Sequence, residues 1–159
     1  MRATCWGIRP SATCSCICRT ADSDTRYATA YLLHALGSSA ELEVTPETDG
    51  QRWRPPVEDV LDPVFGRMEI APMIVVIPDG VCRYGCGQWV DSPVTGNFEQ
   101  YVLHDVIPYV DGAYRTIADA ASRGVSVSPR VGSARGISPR VTRTCSVRWR
   151  CCRLIRGST

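Results

Sequence analysis

The sequence has no lysine: all 18 of its basic residues are arginine. That bias is what a GC-rich coding sequence produces, because arginine codons are mostly GC-rich and lysine codons are not. No run approaches the roughly 20 consecutive apolar residues of a membrane-spanning helix, so none is expected. An early apolar stretch of signal-peptide type is also missing, so nothing points to an oxidising compartment and a cytoplasmic setting is the default expectation. Acidic residues stop at Asp119. Residues 1–119 set nine arginines against all 16 acids, a balance of −7, whereas residues 120–159 carry nine arginines and no acid, a balance of +9. The overall charge of +2 conceals that split.

Nine cysteines are distributed just as unevenly, with Cys5, Cys14, Cys16 and Cys18 early and Cys145, Cys151 and Cys152 late. Only Cys82 and Cys86 lie between them, four residues apart in a Gly-rich loop. The early C-S-C-I-C cluster has no C-x-x-C spacing and no nearby histidine to complete a tetrahedral metal site, so neither metal nor cofactor is expected. At 159 residues and 44% apolar content the chain is one domain with enough material for a core. Met1 to Thr20 shows neither helical nor strand periodicity and is expected to be irregular.

The informative block runs from Met73 to Thr116. Met73 to Ile77 is a continuous β-branched apolar run, the signature of a strand buried on both faces of a parallel sheet. Pro78, Asp79 and Gly80 end it with turn chemistry. A loop with Gly85 and Gly87 follows, carrying Tyr84, Trp89 and Asp91. Asn97 is expected to cap a helix in a capping box with Gln100, and Pro108 to kink or end that helix. Upstream, Arg26 to Gly37 reads as a strand entering a tight loop. Glu41 to Pro56 reads as a loop, and Val57 to Phe65 as a short helix with Val57, Val60, Leu61 and Val64 on one face. Downstream, Arg123 to Ser126 begins another strand. The pattern predicts an α/β protein.

The segments P-M-I-V-V-I-P-D-G, R-Y-G, Q-W-V-D-S-P-V-T-G and Y-V-L-H-D-V-I-P-Y-V-D resemble an esterase family of the α/β-hydrolases. That family includes S-formylglutathione hydrolases and mycolyltransferase-like enzymes. The resemblance runs from about Tyr27 to Val125 and implies a partial α/β-hydrolase sheet, a serine carboxylic-ester hydrolase and a small-molecule ester substrate. It also implies that the turn His34-Ala35-Leu36-Gly37 faces the substrate oxyanion, with the backbone N–H of Leu36 as donor. Tyr84, Trp89 and Asp91 are then candidates for the substrate loop. His34 itself reads as a strand-end histidine satisfied by backbone groups, and His104 as a solvated or capping mid-helix residue.

The same resemblance places a G-x-S-x-G nucleophile elbow directly after the strand at Arg123. Val127-Ser128-Pro129-Arg130-Val131-Gly132-Ser133 stands there instead, and proline beside the expected serine opposes the strand and sharp turn that the chemistry needs. Shifting the reading frame at Val127 restores G-F-S-S-G-G-F-G, and shifting it over Thr144 to Ile155 restores an apolar strand ending in S-A-D. Ala3 to Ala21, shifted likewise, becomes an opening strand ending in L-P-H-G-Y. The expectation is therefore a frameshifted, truncated member with residues 1–21 out of frame, 22–126 a partial esterase-like domain and 127–159 an out-of-frame, disordered Arg/Cys-rich tail. No catalytic residue is assigned to the chain as written, because the elbow is absent and the acid and histidine of a triad follow the serine in this superfamily. Without that missing strand, the edge at Met73 to Ile77 is expected to be exposed. The alternative is a protein that binds nucleic acid or an acidic surface through eight arginines between Arg130 and Arg156. Trp149 alone among them offers stacking, so only unspecific, salt-sensitive attachment would follow. Elemental analysis of the purified protein should find no stoichiometric zinc; about one zinc per chain, lost on replacing Cys14, Cys16 and Cys18, would reverse this expectation.

Overall fold

Two apolar runs, one alternating and one continuous, become neighbouring strands at the centre of a sheet. A computed structural model describes residues 14–18, 24–35, 38–45, 47–49, 52–67, 71–87, 89–127 and 147–148. Strand β1 is Cys14–Cys18, β2 is Ala28–Leu33, and α1 (Ala40–Val44) follows. A small hairpin of β3 (Glu47–Asp49) and β4 (Arg52–Arg54) leads to α2 (Val57–Gly66) and then β5 (Met73–Pro78). Two short hairpins come next, β6 (Val81–Cys82) with β7 (Gly85–Cys86) and β8 (Asp91–Ser92) with β9 (Gly96–Asn97). Helical segments α3 (Phe98–Gln100), a π-helical Tyr101–Val106 and α4 (Ile107–Ala113) then run on to β10 (Arg123–Val127); β11 is Val147–Arg148.

The main sheet has the order β1-β5-β2-β10-β11. Strands β5, β2, β10 and β11 run parallel to one another, and β1 runs antiparallel along the outer side of β5. Period-two side-chain alternation divides the core between two faces. Tyr31, Leu33, Ile74, Val76 and Val125 pack under Val102, Val106, Ile107 and Val110 of the later helix. Ala30, Leu32, Val75 and Ile77 pack under Val44, Val57, Leu61 and Phe65 of the earlier helices. Helices on both faces of a largely parallel sheet make this an α/β fold, as the sequence predicts. Among the described residues no helix is long and apolar enough to cross a membrane.

Several local expectations are corrected. The flanks are not irregular throughout: Cys14–Cys18 pairs along β5 from Cys14 opposite Pro78 to Cys18 opposite Ile74, and Val147–Arg148 pairs with β10. Ladder pairing is made by backbone groups and needs no apolar alternation, which is why residue pattern missed it. The expected bare edge at Met73 to Ile77 is consequently covered. Glu41 to Pro56 is no plain loop either, for Ser39 caps α1 by accepting from the Leu42 amide at 3.2 Å. On α2 the inward stripe is Val57, Leu61 and Phe65, whereas Val60 is 37% exposed. Pro108 does not end the later helix; it falls in the first turn of α4, directly after the π-helical Tyr101–Val106.

The amino ends of β2 and β10 are tied to the end of α4. Asp111 accepts from the Thr116 hydroxyl at 2.7 Å and from the Arg123 guanidinium. Arg26 donates to the Thr116 carbonyl at 3.0 Å, and Tyr27 bridges to Thr116 in parallel fashion.

Glu58, in the first turn of α2, has its carboxyl held above the usual range, chiefly by burial and then by Asp62 and Asp59. The proton is thus held more firmly in the folded chain than in the unfolded one. Its favourable contribution is complete below the unfolded value, about pH 4.3, and is lost as pH rises through the raised value. Because the group is largely solvated, Glu58→Gln should remove only a few tenths of a kcal/mol of that pH dependence. Urea unfolding at pH 4 to 7 should show a flatter profile in the variant; an unchanged profile would reject the assignment.

Candidate functional site

Strand β2 leads to helices on one face of the sheet, whereas β5, its neighbour, leads to the helix on the other. The chain therefore parts between their carboxyl ends, the place where open α/β sheets form ligand crevices. His34 follows β2 there, and Pro78, Asp79 and Gly80 end β5.

His34 is buried and its ring is fully engaged. The Gly80 amide donates to His34 Nε2 at 2.8 Å, so Nε2 carries the lone pair. Nδ1 then carries the proton and donates to the Ala35 carbonyl at 3.1 Å. The Cys86 sulfur lies 3.6 Å from Nδ1, and its thiol donates to the Gly87 carbonyl at 3.0 Å. Above the imidazole, Trp89 stacks edge-on with ring centroids 5.1 Å apart, and its indole N–H donates to the His34 carbonyl at 3.0 Å. Trp89 adopts φ 56°, a left-handed conformation that costs a bulky residue of order 1–3 kcal/mol. Burial and the indole bond hold it there.

Two glycines permit this closure. A Cβ on Gly80 would lie 3.0 Å from the Trp89 ring and 3.3 Å from His34 Nε2. On Gly87 a Cβ would overlap the Phe98 ring. Phe98 in turn stacks on Trp89 and Tyr101, so an aromatic chain runs from the crevice to the helix start.

The residues singled out from sequence go to different places. Leu36 lies outside the described residues. Trp89 is only 3% exposed and belongs to the core behind His34. Tyr84 is 63% exposed in the β6–β7 turn, with the Arg83 guanidinium 5.4 Å from its ring centroid. Asp91 caps the helix: its Oδ1 accepts from the Glu99 and Gln100 amides at 2.9 and 3.1 Å, and its Oδ2 from the Gln100 side chain at 3.2 Å. Asn97, the expected cap, makes no such bond. Sequence reasoning missed Asp79, which approaches His34 Nε2 at 3.4 Å, and Cys86 beside the same ring. The P-D-G turn was legible, but not its partner 46 residues earlier. Among the described residues no three of His, Cys, Asp and Glu converge as a metal site.

Both ring nitrogens of His34 are engaged, Nε2 by the Gly80 amide and Nδ1 by the Ala35 carbonyl, so the ring braces the carboxyl ends of β2 and β5.

No protein-family model matches the chain. Among solved structures, a ferulic acid esterase is similar at 22% identity and a TM-score of 0.58, over 72% of this chain and 43% of its own. The feruloyl esterase module from Clostridium thermocellum, as a point mutant complexed with sinapinate, is similar at 24% identity and a TM-score of 0.52. That match covers 72% of this chain and 39% of the module. The chain thus spans about two fifths of the length of these structures, and what it shares with them is the fold.

Asp91→Ala should cost about 1 kcal/mol, the usual worth of a helix cap, while Asn97→Ala should stay within about 0.5 kcal/mol. Urea unfolding of both variants measures the contrast, and the reverse order would show that Asn97 is the cap after all.

Proposed function

We propose that the chain is a member or remnant of a serine carboxylic-ester hydrolase family that, as written, does not turn over esters. The observation that carries this reading is β10: it lies beside β2 in the parallel sheet and ends at Val127, after which the sequence resemblance expects a nucleophile elbow. The sequence continues there as Ser128-Pro129-Arg130, with no G-x-S-x-G. A fold similar to that of a ferulic acid esterase supports the hydrolase part of the reading. Because the similar structures include feruloyl esterases, aromatic acyl esters are candidates within the small-molecule ester class that the sequence resemblance implies.

Acyl transfer needs a nucleophile on a strained turn, a base beside it and donors for the oxyanion. In this reading the Leu36 N–H is the one surviving donor, and exposed Tyr84 offers an aromatic face to the acyl group. On the same reading a frameshift after Val127 accounts for the lost nucleophile, and that shift together with the one over Ala3 to Ala21 accounts for the excess arginine and cysteine.

The test assays two versions on a nitrophenyl acetate and on a methyl ferulate. The chain as written should stay at background. A version with the regrouped frame, extended to the length of the esterases, should hydrolyse at least one ester, and changing its elbow serine to alanine should lower kcat by about 10⁴ to 10⁶. Turnover by the unrepaired chain, or none by a folded repaired one, would overturn the proposal.

A further inference from the structure

The surroundings of His34 Nε2 contain a feature that bracing alone does not explain. Nε2 and Asp79 Oδ1 face each other at 3.4 Å. With the ring neutral and Nε2 accepting from Gly80, both atoms present lone pairs to one another. A proton placed between them turns this opposition into a charge-assisted hydrogen bond. The same proton would meet the Gly80 N–H head-on, so that bond cannot survive. We propose that His34 is a proton-driven latch: neutral, it holds the Gly80 amide; protonated, it takes Asp79 and releases Gly80.

The other groups around the ring fit this exchange. Cys86, from β7, is the second titratable group at the imidazole and lies on the Nδ1 side, where it does not compete for the proton at Nε2. Trp89 packs on the ring and does not titrate at these pH values. Glu43 of α1 is buried and engaged by the Ser38 hydroxyl at 3.1 Å. Asp79 is one fifth exposed, which gives protons a route from solvent. Asp79 Oδ1 also accepts from the Val81 amide at 3.3 Å and the Ala40 amide at 3.5 Å. Turning toward protonated His34 would therefore loosen the entry to β6 and the start of α1 together. The latch joins the ends of β2 and β5, so its release would reshape the crevice whether or not the chain descends from an esterase.

The full chain is followed by NMR while the pH is lowered from about 8 to about 5, the range in which histidine side chains change charge. Ring ¹⁵N shifts should show His34 as the Nδ1–H tautomer at the upper end. Protonation at Nε2 should then coincide with about a fivefold loss of exchange protection at the Gly80 amide, the worth of one hydrogen bond. His34→Gln keeps an acceptor for Gly80 and should abolish the response, while His104→Gln should leave it intact. An Nε2–H tautomer in the neutral ring, a Gly80 amide indifferent to His34 protonation, or a response that persists in His34→Gln would overturn the latch. Should His34→Gln fail to fold, the ring shifts and Gly80 exchange of the unmodified chain decide by their coincidence or lack of it.

Discussion

Everything at the carboxyl end of this sheet depends on how the backbone of two parallel strands is satisfied where their ladder stops. β2 and β5 pair from Ala28 opposite Met73 to Tyr31 opposite Val76, and then their connections leave toward opposite faces. Beyond that point the carbonyl of His34 and the amide of Gly80 have lost their ladder partners, and burial makes orphaned groups expensive. One imidazole and one indole take both. The Trp89 conformation, the bare α-carbon of Gly80 and the approach of Phe98 to Gly87 all follow from fitting two rings into that gap.

The rest of the sheet solves a simpler problem with the same backbone logic. Apolar side chains on both faces of β5 require helices on both sides, and the intervening chain supplies them in order, α1 and α2 first and α4 afterwards. What remains is the open side of β5, where β1 lies antiparallel. An edge strand of five residues is enough to occupy the bare donors and acceptors that would otherwise recruit another chain.

Legibility in the sequence follows the range of the interaction. Met73 to Ile77 and the strand before His34 could be read because burial on two faces, or on one, writes itself into neighbouring residues. His34 as a backbone-satisfied histidine was readable for the same reason, since a strand end creates orphaned groups nearby. Asp91 was not: its partners, the Glu99 and Gln100 amides, are eight and nine residues away, and the adjacent Asn97 offered the better-known cap signature. Trp89 looked like a binding-loop residue because loop aromatics often are, and only the fold shows its ring buried behind His34. β1 was hidden because its sequence carries no periodic signal and its pairing requires none. The preference for Val60 over Phe65 on α2 reflects a stripe judged by residue type, whereas the core selects by direction.

The π-helical stretch from Tyr101 to Val106 has a consequence for how this helix tolerates changes in length. A π turn holds one residue more than an α turn requires, so the segment stores a single surplus residue between Val102 and Val106, which both still point at the sheet. Losing one residue at the solvent-facing His104 or Asp105 position would tighten the turn to ordinary α geometry and leave Ile107 and Val110 over the same strands. A deletion one turn later, within Ile107–Ala113, has no such slack and would rotate the end of the helix by about 100°. Asp111 would then swing away from Thr116 and Arg123, and the tie at the amino ends of β2 and β10 would go with it.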